Sequence, residues 1–430
     1  MAEAAGARLE TALDGVPVSE AQRIESLDVL RGFALLGILL LNIIGFGLPS
    51  AAYSYPAVAL EGLGDHLVWG GVELFAEGAM RCLFSILFGA GVALFTETKA
   101  GAVHFRRNGW LLAFGLFDAY VLLWSGDILI NYALAGFVLY FVRHTSARRL
   151  LISAGVLIVL MSAMHAVMQL GMHGAWQAAE QVAADPDNAS AELVEYAAGW
   201  EEFRSDYQPS PDELEEELSQ RRASYASAFA WNVPYTTDML LFVLPVFLFW
   251  DALAMMLLGM GLYKLGVLQG DRGRSFSRRL MLVGFSIGLL VNGYEVTRAV
   301  TSDFDLFATF AQMQWTYHIG RLGMAFGWMG LVLFCVQGHM LAAMRARLAA
   351  VGRMALTNYL MHSLLCLFLF TGAGLALVGT LTRAELYIVV LGIWVLQLLL
   401  SPWWLARYRF GPVEWLWRGL TYGRFPDNRR

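Results

Sequence analysis

Apolar runs of about one bilayer thickness recur along the chain, separated by short polar or charged breaks. The first, RIESLDVLRGFALLGILLLNIIGFGLP from Arg23 to Pro49, opens with charges and then stays apolar for the ~20 residues that a transmembrane helix needs. Runs near 28–48, 78–97, 108–124, 128–143, 149–171, 238–264, 276–299, 308–337, 354–377 and 384–402 predict ten spans. Basic residues fall in every second loop: Lys99, Arg106 and Arg107; Arg143, Arg148 and Arg149; Lys264, Arg272, Arg274, Arg278 and Arg279; Arg345, Arg347 and Arg353; then the tail. The alternate loops carry Ser125-Gly126-Asp127, Asp303 with Asp305, and Gly379-Thr380. By the positive-inside rule both termini are then cytoplasmic. The predicted fold class is all-α, a polytopic integral membrane helical bundle of about ten transmembrane helices.

The same pattern divides the chain. Residues 1–22 read as a flexible cytoplasmic tail without the apolar core or cleavage site of a secretory signal peptide, so the first span is expected to act as insertion signal. Residues 23–171 form a first membrane bundle of five spans, 238–402 a second, and 403–430 a basic cytoplasmic tail. Between the bundles, 172–237 is an acidic insertion containing Glu201, Glu202, Asp206 and the run Asp212 to Glu217. Its Ala- and Glu-rich composition favours helix interrupted at Pro186, Pro209 and Pro211, a cap or gate over the outer mouth that regulates access without building the membrane core.

Composition sharpens this reading. Hydrophobic residues make up 58% and charged residues 15% of the 430 positions, well above the ~45–50% apolar content of soluble domains. The net charge of −5 is concentrated in the insertion and implies no nucleic-acid partner. Cys82, Cys335 and Cys366 lie inside apolar runs without metal-ligand spacing, so neither a disulfide nor a metal site is expected.

Polar residues inside apolar runs are costly and mark candidate chemistry. In the first span Ser26 is placed to cap the helix, Asp28 and Arg31 can pair, and the same face continues through Leu35 and Ile38 to Asn42, roughly 16 Å along the axis at ~1.5 Å per residue. Glu73, Glu77, Arg81, Ser85 and Gly89 recur every four residues, with Glu77 and Arg81 in the favourable order for an ion pair. Asp118, Asp127, Asn131, Asn292, Glu295 and Arg298 gather at the outer ends of spans and suggest a water-filled vestibule. Asp251 lies mid-span, while Gln314, His318 and Arg321 form a stripe; Asp251 with Arg321 reads either as structural glue or, with His318, as a proton-handling group. In TNYLMHS, Asn358 reads as a polar core position in preference to His362 as a base.

The motif R-x-x-S-L-D-x-x-R-G, here Arg23, Ser26, Leu27, Asp28, Arg31 and Gly32, resembles the opening of the YeiB-like bacterial membrane proteins, a domain of unknown function numbered 418. RCLFSILFGAG (81–91), GDILINYALAG (126–136), GRMALTNYL (352–360) and GPVEWLWRGLTYG (411–423) extend the resemblance over nearly the whole chain. The first span is also similar to that of heparan-α-glucosaminide N-acetyltransferase, which passes an acetyl group from cytosolic acetyl-CoA across a membrane to a sugar amine. That resemblance implies a bacterial inner-membrane acyltransferase with acyl-CoA as donor, surrounded by membrane lipid, acting on a sugar, lipid or envelope acceptor; a homodimer is one assembly open to it. Its catalytic residues are expected to be His318, Asn42 and Asp251, with Arg31, Asp28, Arg81, Arg321 and Asn358 binding donor or substrate. Tyr53 stands where the related enzyme has its histidine, so either another histidine, His318 first, supplies the base from a different helix or the chain does not use the same covalent or base-assisted route. The alternative is a proton-coupled transporter or lipid flippase using Asp251, His318 and Arg321.

Overall fold

The computed structural model describes residues 24–310 and 314–430, so the expected tail at 1–22 and Arg23 lie outside the described residues. The described chain is helical, apart from an isolated bridge between Tyr408 and Arg429. Helix α1 (Glu25–Gly47) carries Glu25 and Asp28 at its positive end and stops before Pro49, which cannot continue it. Ile24 occupies its N-cap position, and the Ser26 hydroxyl instead donates to the carbonyl of Leu268 at 2.7 Å. The expected cap is thus replaced by a tie to the loop after a distant helix.

Helices α2 (Leu63–Phe75) and α3 (Ala79–Thr96) occupy one apolar stretch broken at Gly78, whose φ of +63° is left-handed. Helix α4 (Gly101–Tyr120) follows, then α5 (Leu129–Phe141) and the 38-residue α6 (Ala147–Ala184). The second half holds α10 (Phe249–Lys264), α11 (Arg274–Thr301), α12 (Tyr317–Gln337), α13 (Ala342–Arg353), α14 (Ala355–Phe370), α15 (Arg383–Leu405) and α16 (Pro412–Tyr422). Among the described residues seven helical segments are long and apolar enough to cross a membrane, or eight if the sharply bent pair α13–α14 counts as one. Ten apolar runs were expected to span. The difference lies in α4, which carries Arg106, Arg107 and Asp118, and α5, which has only 13 residues.

Where the insertion was expected, α6 runs on to Ala184 before α7 (Ala191–Tyr207), α8 (Pro211–Ala223) and α9 (Tyr225–Asp238). Breaks fall at Pro186 and before Pro211; Ser210 and Glu213 cap α8 reciprocally. Trp200 of α7 packs on Ala175 of α6 and Leu306, giving the polar segment an apolar seam. Helix α9 then leads into a ten-residue π-helix, Met239–Leu248, containing Pro245 and continuous with α10.

The core lies between α1, α3 and α10, where Leu30, Leu35, Leu39, Ile86, Leu87 and Met256 are fully buried. Close approach is built with glycine. A Cβ on Gly89 would strike the carbonyl of Met256 and one on Gly259 that of Ile86, so α3 and α10 cross backbone to backbone. Gly32 of α1 and Gly352 of α13 repeat the device, facing the carbonyls of Leu348 and Asp28. The Gly32–Gly352 contact lies toward the amino end of α1, away from Gly45 to Leu48 where the insertion docks.

Candidate functional site

At the insertion end the bundle opens into a cavity of about 250 Å³. Asn42 reaches it from α1, Arg81 and Ser85 from α3, Asn131 and Tyr132 from α5, and Asp251 from α10. Tyr207, Arg221, Trp231 and Tyr235 from the insertion roof it, while Met239, Leu240, Val243 and Leu244 of the π-helix wall one side. Three residues singled out in sequence, Asn42, Arg81 and Asp251, therefore share one chamber. Tyr53 lines it too.

The polar groups are connected. Asp251 receives the Arg321 guanidinium through both carboxylate oxygens, with Nη1 to Oδ2 at 2.9 Å. Arg321 also donates Nη2 to His318 Nδ1 at 2.7 Å. A guanidinium only donates, so Nδ1 accepts and the neutral ring carries its proton on Nε2. The His318 ring stacks on His165 with centroids 5.0 Å apart. His318 lines neither this cavity nor the smaller one on the far side of Arg321. Its link to the cavity is the hydrogen bond from Arg321.

Arg81 Nη2 donates to the Tyr317 hydroxyl at 2.6 Å, and that hydroxyl donates to Glu77 Oε1 at 3.4 Å. The expected direct Glu77–Arg81 pair is interrupted because the helix breaks at Gly78, and Tyr317 takes the place between them. Ser85 and Tyr132 share a 2.6 Å hydrogen bond. A smaller cavity of about 40 Å³, lined by Glu73, Glu77, Glu295, Tyr317 and Arg321, lies beyond this row. Of the polar residues expected to form one vestibule, Asp127 and Asn131 line the larger cavity and Asn292 and Glu295 the smaller, while Asp118 and Arg298 line neither.

Other candidates lie elsewhere. Arg31 and Asp28 pair at 3.4 Å near the opposite end of α1 and do not line the cavity. Asn358 bonds Ser401 at 3.0 Å and Val351 at 3.2 Å, and its carbonyl receives Gln397; His362 also bonds Gln397. This is a polar clasp between α14 and α15. Sequence reasoning passed over Tyr132, Tyr317, Arg221 and the π-helix. The available signals were Tyr317 four residues before Arg321, and Pro234 and Pro245 within one apolar stretch.

Among known families, that described as "Protein of unknown function (DUF418)" matches residues 262–424, a stretch containing His318, Arg321 and Asn358. The chain is 31% identical to the uncharacterized protein YeiB of Escherichia coli (strain K12), over 93% of this chain and 96% of that protein. It is 30% identical to the uncharacterized protein YxaH of Bacillus subtilis (strain 168), covering 94% and 96%. An uncharacterized 39.9 kDa protein from the amylase 3' region of Bacillus acidopullulyticus is 26% identical, over 95% and 97%. No solved structure matches.

Proposed function

This chain belongs to the YeiB-like DUF418 family of multi-pass membrane proteins, and within it we propose that the chain is an acyltransferase of the bacterial inner membrane. It moves an acyl group from a cytosolic acyl-CoA to an extracytoplasmic or lipid-linked acceptor, with both termini cytoplasmic and the insertion outside. The observation that carries this reading is the convergence of Asn42, Arg81 and Asp251 on one cavity.

The chemistry assigns each group a task. The acceptor oxygen or nitrogen attacks the thioester carbonyl carbon, the C–S bond breaks, and the thiol leaves with the proton released by the acceptor. Asn42 donates an N–H to the developing oxyanion, an interaction whose loss costs ~10²–10³ in rate where it has been measured. Asp251 relays the acceptor's proton, held in place by Arg321, with His318 positioning that guanidinium. At the other end Arg31 meets donor phosphates, because a guanidinium forks onto phosphate oxygens. Arg107, whose guanidinium lies over the rings of Phe95 and Trp417, adds a cation to that dock.

Thioester cleavage and acyl transfer by the purified protein in nanodiscs, with Asn42→Ala slowing turnover but sparing donor binding and Arg31→Lys weakening donor binding, is the expected result. The second reading, a proton-coupled transporter or flippase, draws on the Asp251–Arg321 pair between the two cavities. Substrate accumulation in vesicles under a proton gradient, without donor consumption, would replace the first reading with the second.

A further inference from the structure

The wall made by Met239–Leu248 separates the cavity from the outside of the bundle by the thickness of a single helix. Met239, Leu240, Val243, Leu244 and Leu248 line the cavity, whereas Leu241 and Phe242 on the other face are 63% and 66% exposed. The segment lies within a candidate span, Tyr225–Lys264, so those exposed side chains face lipid. A π-helix is ordinarily a single-turn bulge, often at functional sites, and this one runs for ten residues. Pro245 removes a backbone donor from it, and Pro234 does the same in the preceding helix. The wall and the helix leading into it each therefore lack one backbone donor.

The cavity also carries a cation without a directly paired carboxylate, Glu77 being held off by the Tyr317 hydroxyl between them. Asp251 is neutralised by Arg321 and Arg221 by Glu217, while Asp127 is turned to the start of α5, accepting from the Ile130 N–H at 2.8 Å. Among the described residues Arg81 has no carboxylate within ion-pair distance; it bonds the Tyr317 hydroxyl, and its Nε is buried without a partner. Around it stand neutral donors, Asn42, Asn131 and Tyr132, below a wholly apolar wall. A cation in a polar pocket beside an apolar, lipid-facing wall matches a ligand with an acid head and hydrocarbon tails.

We propose that the cavity takes up an anionic phospholipid, which enters sideways from the bilayer past Met239–Leu248 and sets its phosphate on Arg81. This deepens the acyltransferase reading by naming the class of acceptor, yet lipid uptake itself needs no donor and stands or falls separately.

The test uses the full-length protein in nanodiscs without acyl-CoA, containing phosphatidic acid with a diazirine on its acyl chain; labelled residues are mapped by mass spectrometry after illumination. Label is expected on Leu240, Val243 and Leu244 and on Ile38 across the cavity, as well as on the lipid-facing Leu241 and Phe242. An identically tagged phosphatidylcholine should label the cavity residues about tenfold less, the factor expected when ~1.4 kcal/mol of charge-assisted contact is lost. Arg81→Met should erase that preference, and Arg81→Lys, which retains the charge, should keep most of it. Labelling confined to Leu241, Phe242 and other outward side chains would overturn lateral entry. Equal cavity labelling by both lipids would overturn the anionic headgroup. Either result leaves thioester cleavage to be decided by its own assay.

Discussion

Arg221 Nη1 donates to the carbonyl oxygen of Leu48 at 2.9 Å across 173 positions of sequence. Its Nη2 reaches the carbonyls of Gly45 and Phe46, so one guanidinium serves the carboxyl end of α1 where the helix dipole favours a cation. Glu217 pairs with it at 2.8 Å and accepts both the amide and hydroxyl of Ser50. The insertion, read in sequence as dispensable to the core, is bolted to the first span.

Arg221→Met should therefore lower the melting temperature in detergent substantially. Removing one member of a buried pair costs about 3–5 kcal/mol, and here three carbonyls also lose their donor. Adding Glu217→Gln should recover part of the loss. An unchanged melting temperature for Arg221→Met would show that the bolt is not stabilising.

The glycine crossings give a sharper contrast. Gly32→Ala and Gly352→Ala each place a methyl on a facing backbone carbonyl that cannot swing aside, whereas Gly91 on α3 has nothing within 4 Å of its missing Cβ. Size-exclusion profiles should show loss of monodisperse protein for the first two, and Gly91→Ala should be neutral or gain up to about 1 kcal/mol from helix propensity. Normal profiles for all three would contradict the close crossing.

At the bundle centre, Asp251→Asn and Arg321→Met should each destabilise, because each strands a charge in a buried place. The double variant should melt closer to wild type than Asp251→Asn or Arg321→Met alone. Additive losses in thermal unfolding would mean that the two residues contribute independently.

Glu414 on α16 caps α14 from a distance, taking the Leu356 and Thr357 amides at 2.7 and 3.0 Å and the Thr357 hydroxyl at 2.5 Å. Burial holds its carboxyl above the ordinary carboxylate range, opposed by the hydrogen bonds from Thr357 and Leu356. A raised native value favours the protonated native state. Its contribution to stability is therefore fully present below the unfolded value of about 4.3 and is lost as pH rises through the native one. The melting temperature of Glu414→Gln should thus vary less with pH across this acid range than that of wild type; parallel curves would refute the assignment.

Polar residues inside apolar runs were legible in the sequence because the bilayer makes them expensive: Asn42, Arg81 and Asp251 were found that way and share a cavity. The Asp28–Arg31 pair followed from helical spacing, and the Asp251–Arg321 pair from charge matching inside spans. Tyr317 was not legible, since its role depends on a break at Gly78 that an uninterrupted apolar pattern does not reveal. Nor was Arg221, which reads as an ordinary surface charge until its partners on α1 are in place. Arg31 lies on the face that leads to Asn42, and Leu35 between them is fully buried in the core, a packing that helical alignment alone does not reveal.

The Asp251–Arg321 pair has an electrical consequence. A single charge carried across an energised membrane exchanges about 2.3 kcal/mol per 100 mV with the field, but two opposite charges clasped together present no net charge to it. Any rearrangement that translates the pair as one body without turning it therefore draws no work from the voltage. Only a step that turns the pair, parts the two, or places a proton on one of them would register whether the cell is polarised.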